Sequence, residues 1–391
     1  MRQIRTLDGS QWLLAGVSFI SSLGIAVMLP LIPLYAVSLG ATPTQLGLLT
    51  SAFALANAAG QLVAGVLHDR VGARVFIRGG VATYAGANAL IATAASATSL
   101  IAYRSLAGVG AGVNLVATRL YLVQVADPNR LAFVNGILSA ANAAGQVVGP
   151  AFGGIVAALA DLRAPFLLVA ATSGLALVGA LFLPRPAVGS RTAAVDATGS
   201  DAPSRLFNRS ALVLLAAQLL LLAGYGGFIT TYAPLATQRL GWSTLEVGAV
   251  FSIFGVGSIT LGPWLSHIAD QTSRRNVSAL GTIPVALFGL ALALELPRLV
   301  LYVITFAAGG GLTAFTAAWF AMLTDASPAG RRGRTFGVVT AISQLGTVAG
   351  ATVAAAVWQR AGLNAAMLTT TISISLGGAV LLLLPSKTRR E

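Results

Sequence analysis

The chain has 391 residues, of which 56% are hydrophobic and 9% are charged. This composition excludes a water-soluble globular domain and indicates a membrane protein. The net charge of +13 could suggest nucleic-acid binding. However, the arginines lie at the ends of apolar runs and not on one face with aromatic residues between them, so we expect no nucleic-acid partner.

Twelve apolar runs are long enough to cross about 30 Å of hydrocarbon as helices. Six lie in the first half, at about 12–37, 44–67, 75–95, 98–124, 132–160 and 164–184. Six more follow at about 210–236, 244–268, 276–295, 298–324, 334–358 and 363–384. Residues 185–209 are rich in Pro, Ala, Ser and Thr and have no hydrophobic periodicity, which is typical of a flexible linker. We therefore predict a six-helix bundle at 1–184, a linker at 185–209, and a second six-helix bundle with a short tail at 210–391.

The basic residues predict how the chain crosses the membrane. With the amino terminus inside, most Arg and Lys side chains fall on the cytoplasmic side, against Arg163, Arg239, Arg298 and Arg360 outside. This asymmetry follows the positive-inside rule and predicts a multi-pass protein of a bacterial or archaeal plasma membrane, with the linker and both termini in the cytoplasm. The first run is too long for a signal peptide and lacks a small-residue cleavage site, so we expect an uncleaved first span.

The first two spans carry helix-breaking and polar residues. Pro30 and Pro33 predict a bend near the outer end of span 1, because each removes a backbone hydrogen bond. Span 2 places Thr50, Asn57 and Gln61 on one helical face. We take Asn57 and Gln61 as candidate contacts for a small-molecule substrate.

Two segments have the pattern of a helix start with a hydroxyl cap. Thr42–Gln45 precedes span 2, and Ser243–Glu246 precedes span 8, where Ser and Glu have the spacing of a capping box. We therefore interpret Glu246 as a cap at the outer surface and not as an acid that couples proton movement to transport.

The segment 65–74, between spans 2 and 3, recurs 201 positions later at 266–275, where Asp69 and Arg74 correspond to Asp270 and Arg275. The same offset pairs glycines in later spans, namely Gly108 with Gly309, Gly145 with Gly346 and Gly149 with Gly350. The chain is therefore a duplicated unit. We predict an all-α polytopic membrane protein with twelve transmembrane helices in two pseudo-symmetric six-helix bundles.

Arg104 is the one charge that the sequence places deep in a span. It lies about 10 Å from the start of span 4 at 1.5 Å per residue. A charge at that depth costs at least a few kcal/mol on an insertion scale, so the side chain should face a polar interior and not lipid. We take Arg104 as a candidate substrate contact or as a residue that tunes a proton step. The structural alternative is an arginine bonded to backbone carbonyls of a neighbouring helix.

Span 5 combines a glycine groove with a polar stripe. Gly145, Gly149 and Gly153, with Pro150 among them, lie four apart on one face, which is typical of tight helix packing. Span 8 has glycines seven apart, and we predict that spans 5 and 8 contact each other. The polar stripe contains Asn135, Ser139, Asn142 and Gln146, and its amides are candidate substrate contacts because polar groups in hydrocarbon require partners.

Spans 7 and 10 supply the remaining candidate contacts. Span 7 contributes Gln218 and Tyr225, and span 10 contributes Thr313 and Phe315. Aromatic side chains in such helices more often pack against neighbours than bind a ligand, so packing is the alternative for Phe315.

These motifs resemble those of the major facilitator superfamily. The loop 2–3 signature of that family is similar to the segment 65–74 through Gly65, Asp69, Arg70, Gly72 and Arg74. Arg104 and Gly108 resemble its R-x-x-x-G element, and the glycines and proline of span 5 match its antiporter motif. The stretch from Leu23 to Pro33 resembles an element of the twelve-span drug/proton antiporters.

The resemblance implies a transporter that works by alternating access, with two bundles rocking about a central cavity lined by spans 1, 4, 7 and 10. It also implies that the segment 65–74 forms a conformational latch on the cytoplasmic side, with Asp270 in a weaker second copy. We expect a monomer in the lipid bilayer.

One feature departs from the family's pattern. Many drug/proton antiporters hold a carboxylate deep in span 1, 4, 7 or 10, whereas all eleven acids of this chain lie at helix ends or in loops. Proton coupling is therefore open, and strongly cationic cargo is disfavoured because its charge would require a buried acid.

Two transport hypotheses follow from these residues. The first is proton-coupled efflux of small hydrophobic or amphiphilic compounds. The second is transport of a specific metabolite, such as an organic anion bound through Arg104, without a requirement for protons. A non-transporting sensor is a third alternative. An enzyme is disfavoured because the spans hold no nucleophile-base pair, metal cluster or phosphate loop, and we expect no cofactor and no metal.

Overall fold

The computed structural model describes residues 9–125, 131–184, 208–327 and 332–385, and within these ranges every regular element is a helix. The predicted linker lies almost wholly outside the described residues. The helices that precede the predicted linker are α1 (Gly9–Met28), α2 (Ile32–Ser38), α3 (Pro43–Val71), α4 (Ala73–Ala92), α5 (Ala97–Val125), α6 (Leu131–Leu159) and α7 (Ala164–Leu181). The helices that follow it are α8 (Arg209–Gln238), α9 (Thr244–Gln271), α10 (Arg274–Ala293), α11 (Arg298–Ala326) and α12 (Arg332–Leu381).

The described helices supply twelve membrane spans. Ten are long and apolar enough to cross a membrane singly, and α1 with α2 forms one more span, bent by 40°. The twelfth arises because Gly362, with φ of 87°, divides α12 into two helices. Pro30 lies in the break between α1 and α2, and Pro33 lies in the first turn of α2, where its missing N–H costs nothing. The predicted bend is confirmed.

The predicted helix starts are also confirmed. The backbone N–H of Ser243 donates to Oε2 of Glu246 at 2.8 Å, and the N–H of Glu246 donates to Oγ of Ser243 at 3.3 Å. This reciprocal pair is a capping box. Thr42 and Gln45 form the same arrangement before α3.

The described residues form two compact units. The first takes them from 1–41, 52–192 and 243–249, and the second from 42–51, 193–242 and 250–391. Each unit has its own hydrophobic core. The first core includes Leu14, Ile77, Tyr121 and Leu138, and the second includes Leu214, Trp319, Leu323 and Val339. The limits predicted for the two bundles, 1–184 and 210–391, stay a prediction.

The glycine groove of span 5 packs against span 1. A Cβ added at Gly145 would lie 2.8 Å from the carbonyl oxygen of Phe19, and one added at Gly149 would lie 2.8 Å from that of Leu23. Only glycine lets the helix backbones approach this closely. The repeat positions behave alike in the second unit, where Gly346 and Gly350 of α12 contact Leu219 and Ala223 of α8.

Spans 5 and 8 do contact each other, as predicted, but not through this groove. Pro150 of α6 contacts Gly248 of α9, and the hydroxyl of Thr244 donates to the carbonyl of Gly154 at 3.3 Å. Gly262 of α9 faces Thr313 of α11 instead. A row of small residues shows that a face is smooth, but it does not determine which helix covers that face.

Candidate functional site

Arg104 is the one charged side chain among the buried residues of the described ranges, with 4% of its surface exposed. It lies in α5, seven residues after the first residue of that helix. A guanidinium at this depth must be compensated by its surroundings, because an uncompensated charge in a membrane helix is costly.

The guanidinium of Arg104 lies on an aromatic face. Its Cζ is 3.9 Å from the centroid of the Phe53 ring in α3, well within cation–π range. Its Nη1 also donates to Sδ of Met28 in α1 at 4.0 Å, and the hydroxyl of Tyr84 in α4 donates to the same sulfur at 4.0 Å. Two helices of the first unit, α3 and α1, therefore contact Arg104 through soft, polarisable groups, and α4 reaches the same sulfur through Tyr84.

The predicted amides of span 2 lie beside the same helix as Arg104. Nδ2 of Asn57 donates to the carbonyl of Gly108 at 3.3 Å, and Nε2 of Gln61 donates to Oδ1 of Asn57 at 2.6 Å. Gly108 follows Arg104 by one helical turn, so the R-x-x-x-G element packs directly on α3. Phe53 precedes Asn57 by four residues and was missed by the sequence analysis, although this spacing was the signal that could have found it.

The polar stripe of span 5 is only partly described. The hydroxyl of Ser22 in α1 donates to Oδ1 of Asn142, whereas Gln146 is exposed. The side chain of Asn135 lies outside the described residues. Asn142 is therefore the stripe residue for which the structure gives a partner on another helix.

The first unit also contains a small cavity of about 10 Å³ whose lining includes the polar residues Ser21, Tyr84, Asn114 and Ser173. A volume of this order holds about one water molecule. Oγ of Ser173 and Oδ1 of Asn88 are buried without a hydrogen-bond partner in the described part of the chain. The interior of this unit therefore contains polar, uncharged groups, and one of them, the hydroxyl of Tyr84, shares the sulfur of Met28 with Arg104.

The candidates of the second unit lie in different environments. Tyr225 is 41% exposed, and Gln218 is half-buried with its Oε1 lacking a hydrogen-bond partner among the described residues. The hydroxyl of Thr313 donates to the carbonyl of Gly309 in its own helix at 3.0 Å. Phe315 is fully buried in the hydrophobic core, so it packs against protein and offers no surface to cargo in this conformation.

An aromatic cluster in the second unit was not anticipated. Phe228 and Tyr232 of α8, Phe251 of α9 and Phe288 of α10 lie with ring centroids 4.9 to 6.3 Å apart. These separations are typical of favourable aromatic pairs. Phe228 and Tyr232 are four residues apart on one helix, which was the available signal.

The predicted latch residues have different surroundings. Gly65 and Arg70 are exposed, and the side chain of Asp69 lies outside the described residues. Gly72 separates α3 from α4 with φ of 90°, a conformation that favours glycine. Asp270 accepts from Arg274 at 2.8 Å.

The repeated arginine of this segment binds the end of a helix in its own unit. Nη2 of Arg74 donates to the carbonyl of Leu181 at 3.3 Å, and Nη1 of Arg275 donates to that of Leu384 at 2.8 Å. Arg74 therefore binds the carbonyl of the last residue of α7, and Arg275 binds a carbonyl three residues beyond the end of α12. A cation is stabilising near the carboxyl end of a helix. This contact within one unit was not predicted.

The sequence profile of the Major Facilitator Superfamily matches residues 14–296 and 214–391. The chain belongs to the major facilitator superfamily. Its resemblance to the twelve-span drug/proton antiporters is supported by the quinolone resistance protein NorA of Staphylococcus aureus (strain MSSA476), which is 24% identical over 246 residues. That match covers 60% of this chain and 63% of NorA. An uncharacterized MFS-type transporter, MJ1560 of Methanocaldococcus jannaschii, is 30% identical over 149 residues, or 38% of this chain and 39% of that protein.

Solved structures of superfamily transporters share the fold. A bacterial homologue of the human lysosomal transporter Spinster has a TM-score of 0.79 at 17% identity, covering 95% of each chain. A D-xylose-proton symporter has a TM-score of 0.76 at 16% identity, covering 95% of this chain and 96% of the symporter. The chain is accordingly a multi-pass membrane protein of this superfamily. Among its described residues, no group of three or more His, Cys, Asp or Glu could hold a metal ion.

Proposed function

We propose that this transporter is a secondary active exporter of small hydrophobic or amphiphilic compounds, driven by protons that enter as cargo leaves. The observation that carries the proposal is the similarity to the quinolone resistance protein NorA over 246 residues. Export proceeds by alternating access between the two bundles in the plasma membrane, with both termini in the cytoplasm. The transporter acts as a monomer.

The surroundings of Arg104 support neutral or amphiphilic cargo. The side chains near it are aromatic, thioether, amide and hydroxyl groups, which offer hydrogen bonds and stacking without negative charge. A strongly cationic compound would be repelled by Arg104 and would find no buried acid among the described residues to neutralise it. We propose Arg104, Asn57, Gln61, Asn142 and Gln146 as contacts of the first bundle.

Further contacts are assigned to both bundles. Asn135 completes the stripe of span 5, and Tyr225 and Gln218 contribute from span 7. Thr313 and Phe315 contribute from span 10, with Phe315 acting only if movement of the bundles uncovers it. The latch consists of Gly65, Asp69, Arg70, Gly72 and Arg74, with Asp270 in the second copy, and it closes the cytoplasmic side.

A second function is favoured by the burial of Arg104. A guanidinium that is 4% exposed can bind a carboxylate or phosphate through two parallel hydrogen bonds. In that case the cargo is a specific organic anion, and proton coupling is not required.

Reconstitution separates these possibilities. The purified transporter is placed in vesicles that contain a pH-sensitive dye, and a panel of neutral, cationic and anionic compounds is tested. We expect neutral and amphiphilic cargo to move together with protons in the opposite direction. Cargo movement without proton flux would refute antiport while leaving transport intact.

Variants of Arg104 assign its role. Arg104→Ala removes the cation–π contact, which is worth about 0.5–2 kcal/mol, and should weaken transport of all cargo by up to about thirtyfold. Arg104→Lys keeps the charge but loses the planar group over Phe53, so this variant should retain only part of the native transport rate. If the Arg104→Ala protein lost transport of anions alone, the result would favour the second function. Arg360→Ala, at an exposed helix end, is the matched control and should leave transport unchanged.

A further inference from the structure

The small cavity of the first unit has one polar side chain from each of four helices in its wall. These residues are Ser21 of α1, Tyr84 of α4, Asn114 of α5 and Ser173 of α7. Polar groups on four separate helices converge on a volume of about 10 Å³. We call this feature the four-helix cavity.

The wall of the four-helix cavity offers both donors and acceptors. Ser173 is 1% exposed, and its Oγ has no hydrogen-bond partner in the described part of the chain. The hydroxyl of Tyr84 donates to Sδ of Met28, so its oxygen can still accept a hydrogen bond. Oδ1 of Asn114 accepts from the hydroxyl of Thr118 at 3.4 Å, so Nδ2 of Asn114 is the group that can donate into the cavity. A small ligand that both donates and accepts would satisfy this wall.

The size and charge of the cavity restrict the ligand. A volume of about 10 Å³ corresponds to about one water molecule. Hard metal cations take several oxygen ligands, among them carboxylates, and none of the described residues that line the cavity is acidic. A cation would also be repelled by Arg104, whose Nη1 shares the sulfur of Met28 with the hydroxyl of Tyr84. The ligand that fits is therefore small and neutral.

The duplication provides an internal comparison for this cavity. Gly80 of α4 contacts Gly110 of α5, and Gly281 of α10 contacts Gly311 of α11. Both pairs differ by the same 201 positions, so these helices pack in the same register in the two units.

The second unit has apolar residues at the positions that correspond to the cavity. At the offset of 201, three of the four polar residues have apolar counterparts, namely Tyr84 with Val285, Asn114 with Phe315 and Ser173 with Ile374. Phe315 and Ile374 belong to the hydrophobic core of the second unit, and Val285 packs against that core. A unit can therefore pack without polar groups here, so packing alone does not account for the polar set of the first unit.

We propose that the four-helix cavity is a binding site for a single water molecule. The water bonds to Oγ of Ser173 and accepts from Nδ2 of Asn114, so it links α7 to α5, and Ser21 and Tyr84 complete the two to four polar partners that a buried water requires. Such a water is part of the structure and is costly to remove. The proposal concerns the interior of the first unit and depends neither on the cargo nor on proton coupling.

Hydroxyl-radical labelling by X-rays tests the site. A short X-ray pulse converts bound water into radicals that oxidise the side chains next to it, and mass spectrometry of the full-length protein locates the oxidised residues. We expect Tyr84 to be oxidised although it is only 5% exposed. Tyr121 and Tyr232 are also buried and lie outside the four-helix cavity, so they should not be oxidised.

Two substitutions fill the cavity. Ser173→Val removes the hydroxyl and adds hydrocarbon, and it should lower oxidation of Tyr84 to the rate of Tyr121. Ala111 also lines the cavity, and Ala111→Leu introduces the side chain found at the corresponding position of the second unit, Leu312. This second variant should lower oxidation of Tyr84 to the same rate.

Ser278→Ala is the matched control. Ser278 of α10 is fully buried, and its Oγ also has no hydrogen-bond partner among the described residues, but it does not line the four-helix cavity. Oxidation of Tyr84 should be unchanged in this protein.

Several results would overturn the proposal. They are oxidation of Tyr84 in the native protein at no more than the rate of Tyr121, native oxidation of Tyr84 in both cavity-filling variants, and an equal loss in the Ser278→Ala protein. A loss of labelling when choline replaces sodium in the buffer would assign the cavity to a metal cation instead. Because the readout is oxidation of a side chain and not transport, failure of the efflux proposal would leave this test unaffected.

Discussion

Replacement of Gly149 by alanine tests the packing of span 5 against span 1. The added Cβ would lie 2.7 Å from Cβ of Ala26 and 2.8 Å from the carbonyl oxygen of Leu23. Carbon atoms in contact prefer about 3.5–4.0 Å, so α1 and α6 would have to separate by about 1 Å. Overpacking of this kind costs about 1–3 kcal/mol, and we expect Gly149→Ala to lose that much stability.

The effect is measured by thermal unfolding of the purified protein in detergent. Gly86→Ala is the matched control, because no atom lies within 4 Å of a Cβ added there in α4. Alanine at that position reduces the backbone freedom of the unfolded chain, so it should stabilise the folded protein by at most about 1 kcal/mol. If the Gly149→Ala protein unfolded at the same temperature as the Gly86→Ala protein, the close approach of α1 and α6 would be refuted.

Two further predictions concern the helix ends. Ser243→Ala removes the capping box with Glu246 and should cost about 0.5–2 kcal/mol, measured by the same unfolding assay. A cost of zero would show that the box is not a stabilising cap. Hydrogen bonds from Asn364 and from Arg239 to Oε1 of Glu295 hold the pKa of that carboxyl below its usual range. The stability that this carboxylate adds is therefore present above the unfolded pKa of about 4.3 and is lost as the pH falls through the lower folded value. Unfolding temperatures of the native and Glu295→Gln proteins should differ at pH 7 and converge near pH 3, and a difference that did not change with pH would contradict this assignment.

Much of the fold could be predicted because the required signals are local. Hydrophobic runs marked the spans, the offset of 201 positions marked the duplication, and Pro30 and Pro33 marked the bend of the first span. The capping box at Ser243 was readable for the same reason, since its two side chains lie three residues apart in the chain.

The candidate site was predicted only in part. Burial of Arg104 followed from its depth in an apolar run, but its partners Phe53 and Met28 lie on other helices and carry no polar signal of their own. Phe315 was predicted as a candidate cargo contact with packing as the alternative, and the structure places its side chain in the core. An aromatic residue in an apolar helix has the same sequence signature in both environments.

The sequence by itself determined that the chain crosses a membrane twelve times as two copies of one unit, because hydrophobic length and repetition are properties of the chain alone. Only the tertiary structure decided that the glycines of span 5 meet span 1, that Arg74 binds the end of α7, and that Arg275 binds the segment just after α12. Several helices could pack on a glycine-lined face or accept a hydrogen bond from an arginine. Which helix is the partner depends on contacts between residues far apart in sequence.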